Sequence, residues 1–167
     1  TYAVQIAKSY GAEVTAVCST RNLDLARSLG ADYVIDYTRE DFTKNGLRYD
    51  LILAVNGNHP ILDYRRALSL QGICVVAGGS LVQVFLALLL GPVISRLGSK
   101  KHFFMGMAKS HKEDLLVLKE LLEAGKVVSV IDKCYPLSKT AEAIRYLIEE
   151  HARGKVVITI AGSGGGN

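Results

Sequence analysis

The sequence predicts an α/β protein built on a doubly wound parallel sheet, and two features of its apolar pattern indicate this class. Residues 50–55 and 72–77 are almost uninterrupted apolar runs, which is typical of strands covered on both faces. Such runs alternate with segments of helical periodicity, which implies repeated strand–helix crossovers and hence parallel strands. With 49% hydrophobic and 22% charged residues, the 167-residue chain can bury a substantial core.

The chain is predicted to open in a helix, because Ala3, Ile6, Ala7 and Tyr10 share one helical face and Gly11 follows as a stop signal. Short Val- and Ala-rich runs then predict strands, and the segments between them have helical spacing. In order, we expect a strand over 13–18, a helix over 22–29, a strand over 32–36, a helical turn over 39–44 and a strand over 50–55.

The second half continues the alternation as far as a change of pattern near residue 126. Pro60 lies in the first turn of a predicted helix, and Gly125 follows the last helix before the change. In order, we expect a helix over 60–68, a strand over 72–77, a helix over 81–97, a strand over 102–107, a helix over 112–124, strands over 127–131 and 133–135, a helix over 140–151 and a strand over 155–160. We therefore assign residues 1–126 to a cofactor-binding domain, 127–161 to a segment of a second domain and 162–167 to a flexible glycine-rich tail.

Residues 74–95 carry no charge and by length alone could cross a bilayer. Gly78-Gly79-Ser80 and Gln83 interrupt this run, and Gly91-Pro92 ends its Leu-rich part. We therefore expect a buried strand followed by an apolar helix, and no membrane span.

Composition argues against several functions. The net charge is +4, but acidic and basic residues alternate along the chain, so we expect no nucleic-acid partner. The cysteines Cys18, Cys74 and Cys134 lie far apart without a C-x-x-C pair, and the four histidines are isolated, so we expect no disulfide framework and no metal site. No secretion signal opens the sequence, and the expected location is the cytoplasm.

The strand over 14–17 carries the strongest cofactor signal, because the residue after the second strand of a dinucleotide fold reads the adenosine ribose. An acid at that point suits a free 2′-hydroxyl, whereas Ser19, Thr20 and Arg21 occupy it here. Hydroxyl donors and a planar cation suit a 2′-phosphate, which favours NADP(H) over NAD(H). The alternative is that Ser19 or Thr20 caps the next helix and Arg21 is solvated.

If the strand over 14–17 is the second strand of the fold, we expect the first strand and its glycine-rich phosphate loop before Thr1. The glycines of the tail do not replace that loop, since they lack the G-x-G-x-x-G spacing and no helix follows them.

Asn56 and the pair Gly78-Gly79 follow the two apolar strands, at the carboxyl edge where ligands of such sheets bind. Glycine at this edge allows the backbone to approach a ligand closely. Both segments are also compatible with simple strand-to-helix turns.

Several segments in this order resemble the zinc-free quinone oxidoreductase branch of the medium-chain dehydrogenases/reductases. They are Tyr2-Ala3-Val4-Gln5-Ile6-Ala7-Lys8 with Gly11-Ala12-Glu13-Val14, Leu29-Gly30-Ala31-Asp32 with Val34-Ile35-Asp36-Tyr37, Tyr49-Asp50-Leu51-Ile52-Leu53, and His151-Ala152-Arg153-Gly154-Lys155-Val156-Val157. The resemblance implies a Rossmann cofactor domain that lacks its first strand, followed by the C-terminal return segment of a split catalytic domain. It places Ser19, Thr20, Arg21 and Tyr37 around the adenosine phosphate, and Asn56, Gly78 and Gly79 along the nicotinamide half.

The resemblance further implies an NADPH-dependent oxidoreductase that passes hydride to a quinone, enone or carbonyl substrate, without zinc. The larger part of the catalytic domain is amino-terminal in that family, so no catalytic residue is assigned to this chain. A homodimer is compatible with this interpretation. The alternative is a non-catalytic NADP(H)-binding module that senses the cofactor or serves an assembly. A methyltransferase-like fold is disfavoured, because it would place an acid where Ser19, Thr20 and Arg21 lie.

Overall fold

The computed structural model of the chain describes residues 1–55, 57, 59–78, 111–150 and 152–160, and the backbone of 102–105. The predicted helix over 81–97, the tail over 162–167 and the candidate residues Asn56 and Gly79 lie outside these described residues. The helices are α1 (Tyr2–Ser9), α2 (Leu23–Ser28), α3 (Ile61–Ala67), α4 (Lys112–Glu123) and α5 (Thr140–Glu149). The strands are β1 (Thr15–Cys18), β2 (Tyr33–Asp36), β3 (Tyr49–Val55), β4 (Leu68–Ala77), β5 (His102–Met105), β6 (Ile131–Pro136) and β7 (Lys155–Thr159).

All pairings among the described strands are parallel. They form the sheets β1–β2, β3–β4–β5 and β6–β7. Parallel neighbours need a crossover connection, and helices supply it where α2 joins β1 to β2 and α5 joins β6 to β7. The predicted α/β class with parallel strands is therefore confirmed.

The chain divides into two compact units, of which the first is discontinuous. It combines Thr1–Asp36 with His111–Asn167, while the second is Tyr37–Ser110. This division does not test the boundary predicted near residue 126 between the cofactor-binding domain and the segment of a second domain. That boundary stays a prediction.

The amide of Gln5 joins the two pieces of the first unit. Its Oε1 accepts from the Val128 N–H at 2.7 Å, and its Nε2 donates to the Val128 carbonyl at 3.0 Å. The hydroxyls of Tyr2 and Ser129 are hydrogen-bonded beside it at 2.6 Å. The strand predicted over 127–131 is wrong for 127–130, because at Val128 a glutamine side chain takes both backbone hydrogen bonds that a neighbouring strand would make.

Asp32 joins α1, β1 and the start of β2. Its carboxylate accepts from the Lys8 ammonium at 2.8 Å and from the Val14 N–H at 2.7 Å. These donors, the lysine first, hold the pKa of the Asp32 carboxyl below its ordinary value. The carboxylate thus fixes the approach to both strands that lead to the candidate site.

The second unit has its core where α3 runs into β4. Ala67, Leu68 and Cys74 are fully buried, and Ile52 and Ala54 of β3 point into the same unit's interior. Leu51, Leu53 and Val55 are exposed, so the described residues cover β3 on one face, whereas the sequence predicted cover on both. No described helix has the length and apolarity needed to cross a membrane.

Candidate cofactor-binding site

The first part of the candidate site lies where β1 and β2 end side by side. The parallel register pairs Cys18 with Asp36, so the residues after Cys18 leave the sheet beside that carboxylate. Ser19 is extended, and a single 3₁₀ turn, Thr20–Asn22, leads into α2. The predicted residues Ser19, Thr20 and Arg21 therefore form one loop at the carboxyl edge of the sheet.

The Thr20 hydroxyl donates a hydrogen bond to the Asp36 carboxylate. Sequence reasoning missed this acid because it considered only the residues that follow β1. The parallel pairing of residues 15–18 with 33–36 was the signal that could have revealed it. An acid consequently lies beside the loop predicted to bind a 2′-phosphate.

Arg21 points to the end of α5. Its Nη1 and Nη2 donate to the Glu150 carbonyl at 3.2 and 3.3 Å. A carbonyl at the end of a helix carries partial negative charge and has no partner within the helix, so it is a natural acceptor for a guanidinium. The Arg21 side chain is thus held in a defined place at the surface of the unit.

A second arginine makes the reverse connection. Arg153 Nε donates to Asn22 Oδ1 at 3.2 Å, and Asn22 Nδ2 in turn donates to Ser19 Oγ at 3.3 Å. Within the described residues, no side-chain capping bond forms at either Ser19 or Asn22. The Ser19 hydroxyl therefore belongs to this loop network, and the alternative that it caps the helix is not what the structure shows.

The other candidate residues belong to the second unit. Tyr37 follows β2 and is 59% exposed. Gly78 ends β4 with φ of 81°, a left-handed conformation that favours glycine. The β3–β4 register pairs Val55 with Ala77, so the segments that follow these two strands start from the same edge.

Gly57 lies after β3 in a place where a side chain would not fit. A Cβ atom there would overlap the Tyr64 hydroxyl and lie 3.1 Å from the Ala54 Cβ. Tyr64 is buried, and burial raises the pKa of its phenol, although a hydrogen bond from the His59 backbone partly offsets this. The sequence indicated that Gly57 lies in a turn. It did not reveal that the Tyr64 hydroxyl occupies the space that a side chain at Gly57 would need.

The described part of the chain contains no cluster of three His, Cys, Asp or Glu side chains that could hold a metal ion. All three cysteines fall within the described ranges, and each is a free thiol. Burial, the largest cause, and Asp36 raise the pKa of the Cys18 thiol, while Arg27 lowers it. Burial alone raises the pKa of Cys74 to about 12, so neither thiol is an activated nucleophile.

A family model described as zinc-binding dehydrogenase matches residues 29–158. The chain is 35% identical to the chloroplastic quinone-oxidoreductase QR1 of Triphysaria versicolor over 162 residues, which cover 94% of this chain and 48% of that protein. It is 34% identical to the chloroplastic NADPH-dependent alkenal/one oxidoreductase of Arabidopsis thaliana over 160 residues, which cover 93% and 36%.

Among solved structures, the quinone oxidoreductase of Coxiella burnetii superimposes with a TM-score of 0.75 over 94% of this chain and 48% of that one. At 24% identity, this likeness concerns the fold alone. The chain spans about half the length, or less, of the curated relatives described above. Matched over most of its length, the chain belongs to the zinc-binding dehydrogenase family, as a quinone-oxidoreductase-like member of the medium-chain dehydrogenases/reductases.

Proposed function

We propose that this chain is the cofactor-binding half of an NADPH-dependent oxidoreductase that reduces a quinone, an enone or another activated carbonyl. The observation that carries the proposal is the loop after β1, where Ser19, Thr20 and Arg21 present hydroxyls and a guanidinium at the carboxyl edge of a parallel sheet. The names of the relatives support the reaction class, and one of them is named for NADPH and for alkenals and alkenones.

The residues of this loop suit the adenosine 2′-phosphate of NADP(H). Arg21 is exposed, and its Nη1 and Nη2 donate to the neutral Glu150 carbonyl, which is a weaker acceptor for a guanidinium than a phosphate dianion. The Thr20 hydroxyl can turn from Asp36 to a phosphate oxygen, whereas the Asp36 carboxylate is unfavourable for a dianion. NADPH is therefore preferred only if the attraction between Arg21 and the 2′-phosphate exceeds the repulsion between Asp36 and that phosphate.

The second unit suits the other half of the cofactor. Asn56, Gly78 and Gly79 follow β3 and β4, and the left-handed Gly78 leaves the end of β4 without a side chain. When bound, the nicotinamide ring would supply the hydride that is transferred to the acceptor. The residues of this chain hold and orient the cofactor, and positioning of this kind is a major part of such catalysis.

The proposal also includes independence from zinc and a cytoplasmic location. Zinc independence follows from the resemblance to the zinc-free quinone oxidoreductase branch, and a relative named as a quinone oxidoreductase supports it. Metal analysis of the purified full-length protein, together with its activity after dialysis against a chelator, tests this point. One zinc per chain with loss of activity on chelation would contradict it.

The decisive experiment is titration of the full-length protein with NADPH and with NADH, followed by turnover assays with quinones, enones and aldehydes. We expect NADPH to bind at least about 10-fold more tightly, since a charge-assisted bond to the 2′-phosphate contributes about 1.5–3 kcal/mol. Equal affinities, or tighter binding of NADH, would refute the 2′-phosphate assignment. Tight NADPH binding without turnover of any acceptor would refute the reductase and support a cofactor-sensing module.

A further inference from the structure

The loop that follows β3 passes over a buried tyrosine of α3. Tyr64 is 5% exposed, and its ring packs against the rings of Phe42 and His59, with centroids 6.2 and 5.8 Å away. A Cβ on Gly57 would overlap the Tyr64 hydroxyl and lie 3.3 Å from Tyr64 Cζ. The backbone N–H of His59 donates a hydrogen bond to the same hydroxyl. The Tyr64 oxygen therefore contacts the loop at two residues, once by packing and once by a hydrogen bond.

Helix α3 keeps this tyrosine at a fixed place in the second unit. Arg66 Nε donates to the Thr43 carbonyl at 3.0 Å, and the Thr43 hydroxyl donates to the Asp41 carboxylate at 2.7 Å. Where the helix runs into β4, Ala67 and Leu68 are fully buried. The helix is thus tied both to the turn over 41–44 and to the core. Contacts outside the loop therefore set the position of the Tyr64 hydroxyl.

The loop begins at the carboxyl edge of the sheet, beside the end of β4. The parallel register pairs Val55 with Ala77, so the residues after Val55 leave the sheet next to Gly78. This is the edge assigned above to the nicotinamide half of the cofactor. A glycine backbone has more conformational freedom than that of any other residue. The contact between Tyr64 and Gly57 therefore restricts the loop where it is intrinsically most free.

Hydride transfer is sensitive to such a restriction. The hydride passes with both its electrons from C4 of the reduced nicotinamide to the acceptor, which then takes a proton from water. The two reacting atoms must approach to about 3–3.5 Å, and a misplacement of about 1 Å can cost about 100-fold in rate. A loop that borders the nicotinamide half must therefore be held to within a fraction of an ångström.

We propose that Tyr64 is a positioning residue for hydride transfer, whose hydroxyl fixes the loop after β3 and thereby the nicotinamide half of the cofactor. This inference rests on the proposed function and extends it from the loops to the helix behind them. The ring of Tyr64 packs in the aromatic cluster, whereas its oxygen contacts the loop. Replacement by phenylalanine separates the two roles, because only the oxygen is lost.

Tyr49 provides a matched control from the same aromatic cluster. Its ring centroid lies 6.1 Å from that of Phe42, which also contacts Tyr64. Its hydroxyl is buried and has no hydrogen-bond partner within the residues that the structure describes. Tyr49→Phe thus removes the same oxygen from the same cluster without a change at the loop.

The test compares Tyr64→Phe and Tyr49→Phe with the parent in the full-length protein, with quinones and enones as acceptors. Stopped-flow single-turnover oxidation of NADPH gives the rate of hydride transfer, and NADPH deuterated at C4 shows by its isotope effect that this step is observed. Calorimetry gives the Kd of adenosine 2′,5′-bisphosphate, which lacks the nicotinamide, and its stoichiometry counts the folded protein. For Tyr64→Phe we expect hydride transfer to slow about 10-fold, with the bisphosphate bound within about 2-fold of the parent. Tyr49→Phe should leave both values within about 2-fold.

Gly57→Ala perturbs the same contact from the loop side. The new Cβ overlaps the Tyr64 hydroxyl, so the loop must move. We expect slower hydride transfer and an unchanged affinity for the bisphosphate. In the double variant with Gly57→Ala and Tyr64→Phe, part of the rate should return, because the methyl group occupies the space that the oxygen leaves.

A hydride-transfer rate for Tyr64→Phe within about 2-fold of the parent would overturn the inference, as would an equal loss in Tyr49→Phe. Parallel weakening of the bisphosphate would also overturn it, since the oxygen would then support the whole fold rather than the loop. If the parent reduces an acceptor with NADPH and Tyr64→Phe does so equally fast, the proposed function stands and this inference fails. A parent that reduces none of these acceptors refutes both.

Discussion

Replacing Gln5 should expose how the two pieces of the first unit hold together. The side chain is 7% exposed and makes two hydrogen bonds to the backbone of Val128, at 2.7 and 3.0 Å. Each bond contributes about 0.5–1.5 kcal/mol net, so Gln5→Ala should lower the free energy of unfolding by about 1–3 kcal/mol. With a urea m value of about 2 kcal/mol/M, the unfolding midpoint should fall by about 0.5–1.5 M.

The assay is urea unfolding followed by circular dichroism, with two companion variants. Gln5→Glu keeps the acceptor for the Val128 N–H but places a carboxylate oxygen against the Val128 carbonyl, so at neutral pH it should destabilise at least as much as alanine. Tyr10→Ala, at an exposed position beside the same helix, should change the free energy by less than about 0.5 kcal/mol. If Gln5→Ala also stays within that range, the Val128 backbone is satisfied by water and the amide does not join the two pieces.

Three further changes test other parts of the structure. Arg21→Ala should weaken NADPH binding by the full-length protein about 10- to 150-fold while NADH changes little, since only NADPH carries the phosphate; parallel losses in calorimetry would make Arg21 structural. Gly57→Ala should destabilise by about 1–3 kcal/mol because its Cβ overlaps the Tyr64 hydroxyl, and adding Tyr64→Phe should restore part of the loss in urea unfolding; no rescue would place the strain elsewhere. Leu68→Ala should cost about 2–5 kcal/mol, because the side chain is fully buried, while Leu70→Ala at an 82% exposed position should cost under about 0.5 kcal/mol; similar values for both would contradict the assigned core.

The α/β class and the order of elements could be predicted because their signals are local. The apolar runs at 50–55 and 72–77 and the glycines after α1 and α4 act over a few residues, and the corresponding elements form within a few residues of the expected bounds. Strand β4 instead begins at Leu68, because the chain passes directly from α3 into the strand.

The contacts at the candidate site could not be predicted, because they join residues remote in sequence. The pairing of Thr20 with Asp36 depends on strand register, and that of Asn22 with Arg153 spans 131 positions. The strand predicted over 127–130 failed for the same kind of reason. The backbone of Val128 is hydrogen-bonded by Gln5, and nothing in the local sequence reveals this remote contact. The residue types of Ser19, Thr20 and Arg21 therefore indicated the loop from sequence. Its contacts with Asp36 and Arg153 became evident only from the structure.

The discontinuity of the first unit sets the order in which the site can form during synthesis. Three hydrogen bonds of this unit join residues that are far apart in the sequence. They link Gln5 to Val128, Arg21 to Glu150 and Asn22 to Arg153, at separations of 123, 129 and 131 residues. At translation rates of about 5–20 residues per second, these groups stay unpaired on the order of 10 s after leaving the ribosome. Meanwhile the second unit, Tyr37–Ser110, is a continuous stretch that emerges whole before the partners arrive. The cofactor loop therefore cannot acquire these native contacts before Arg153 has left the ribosome.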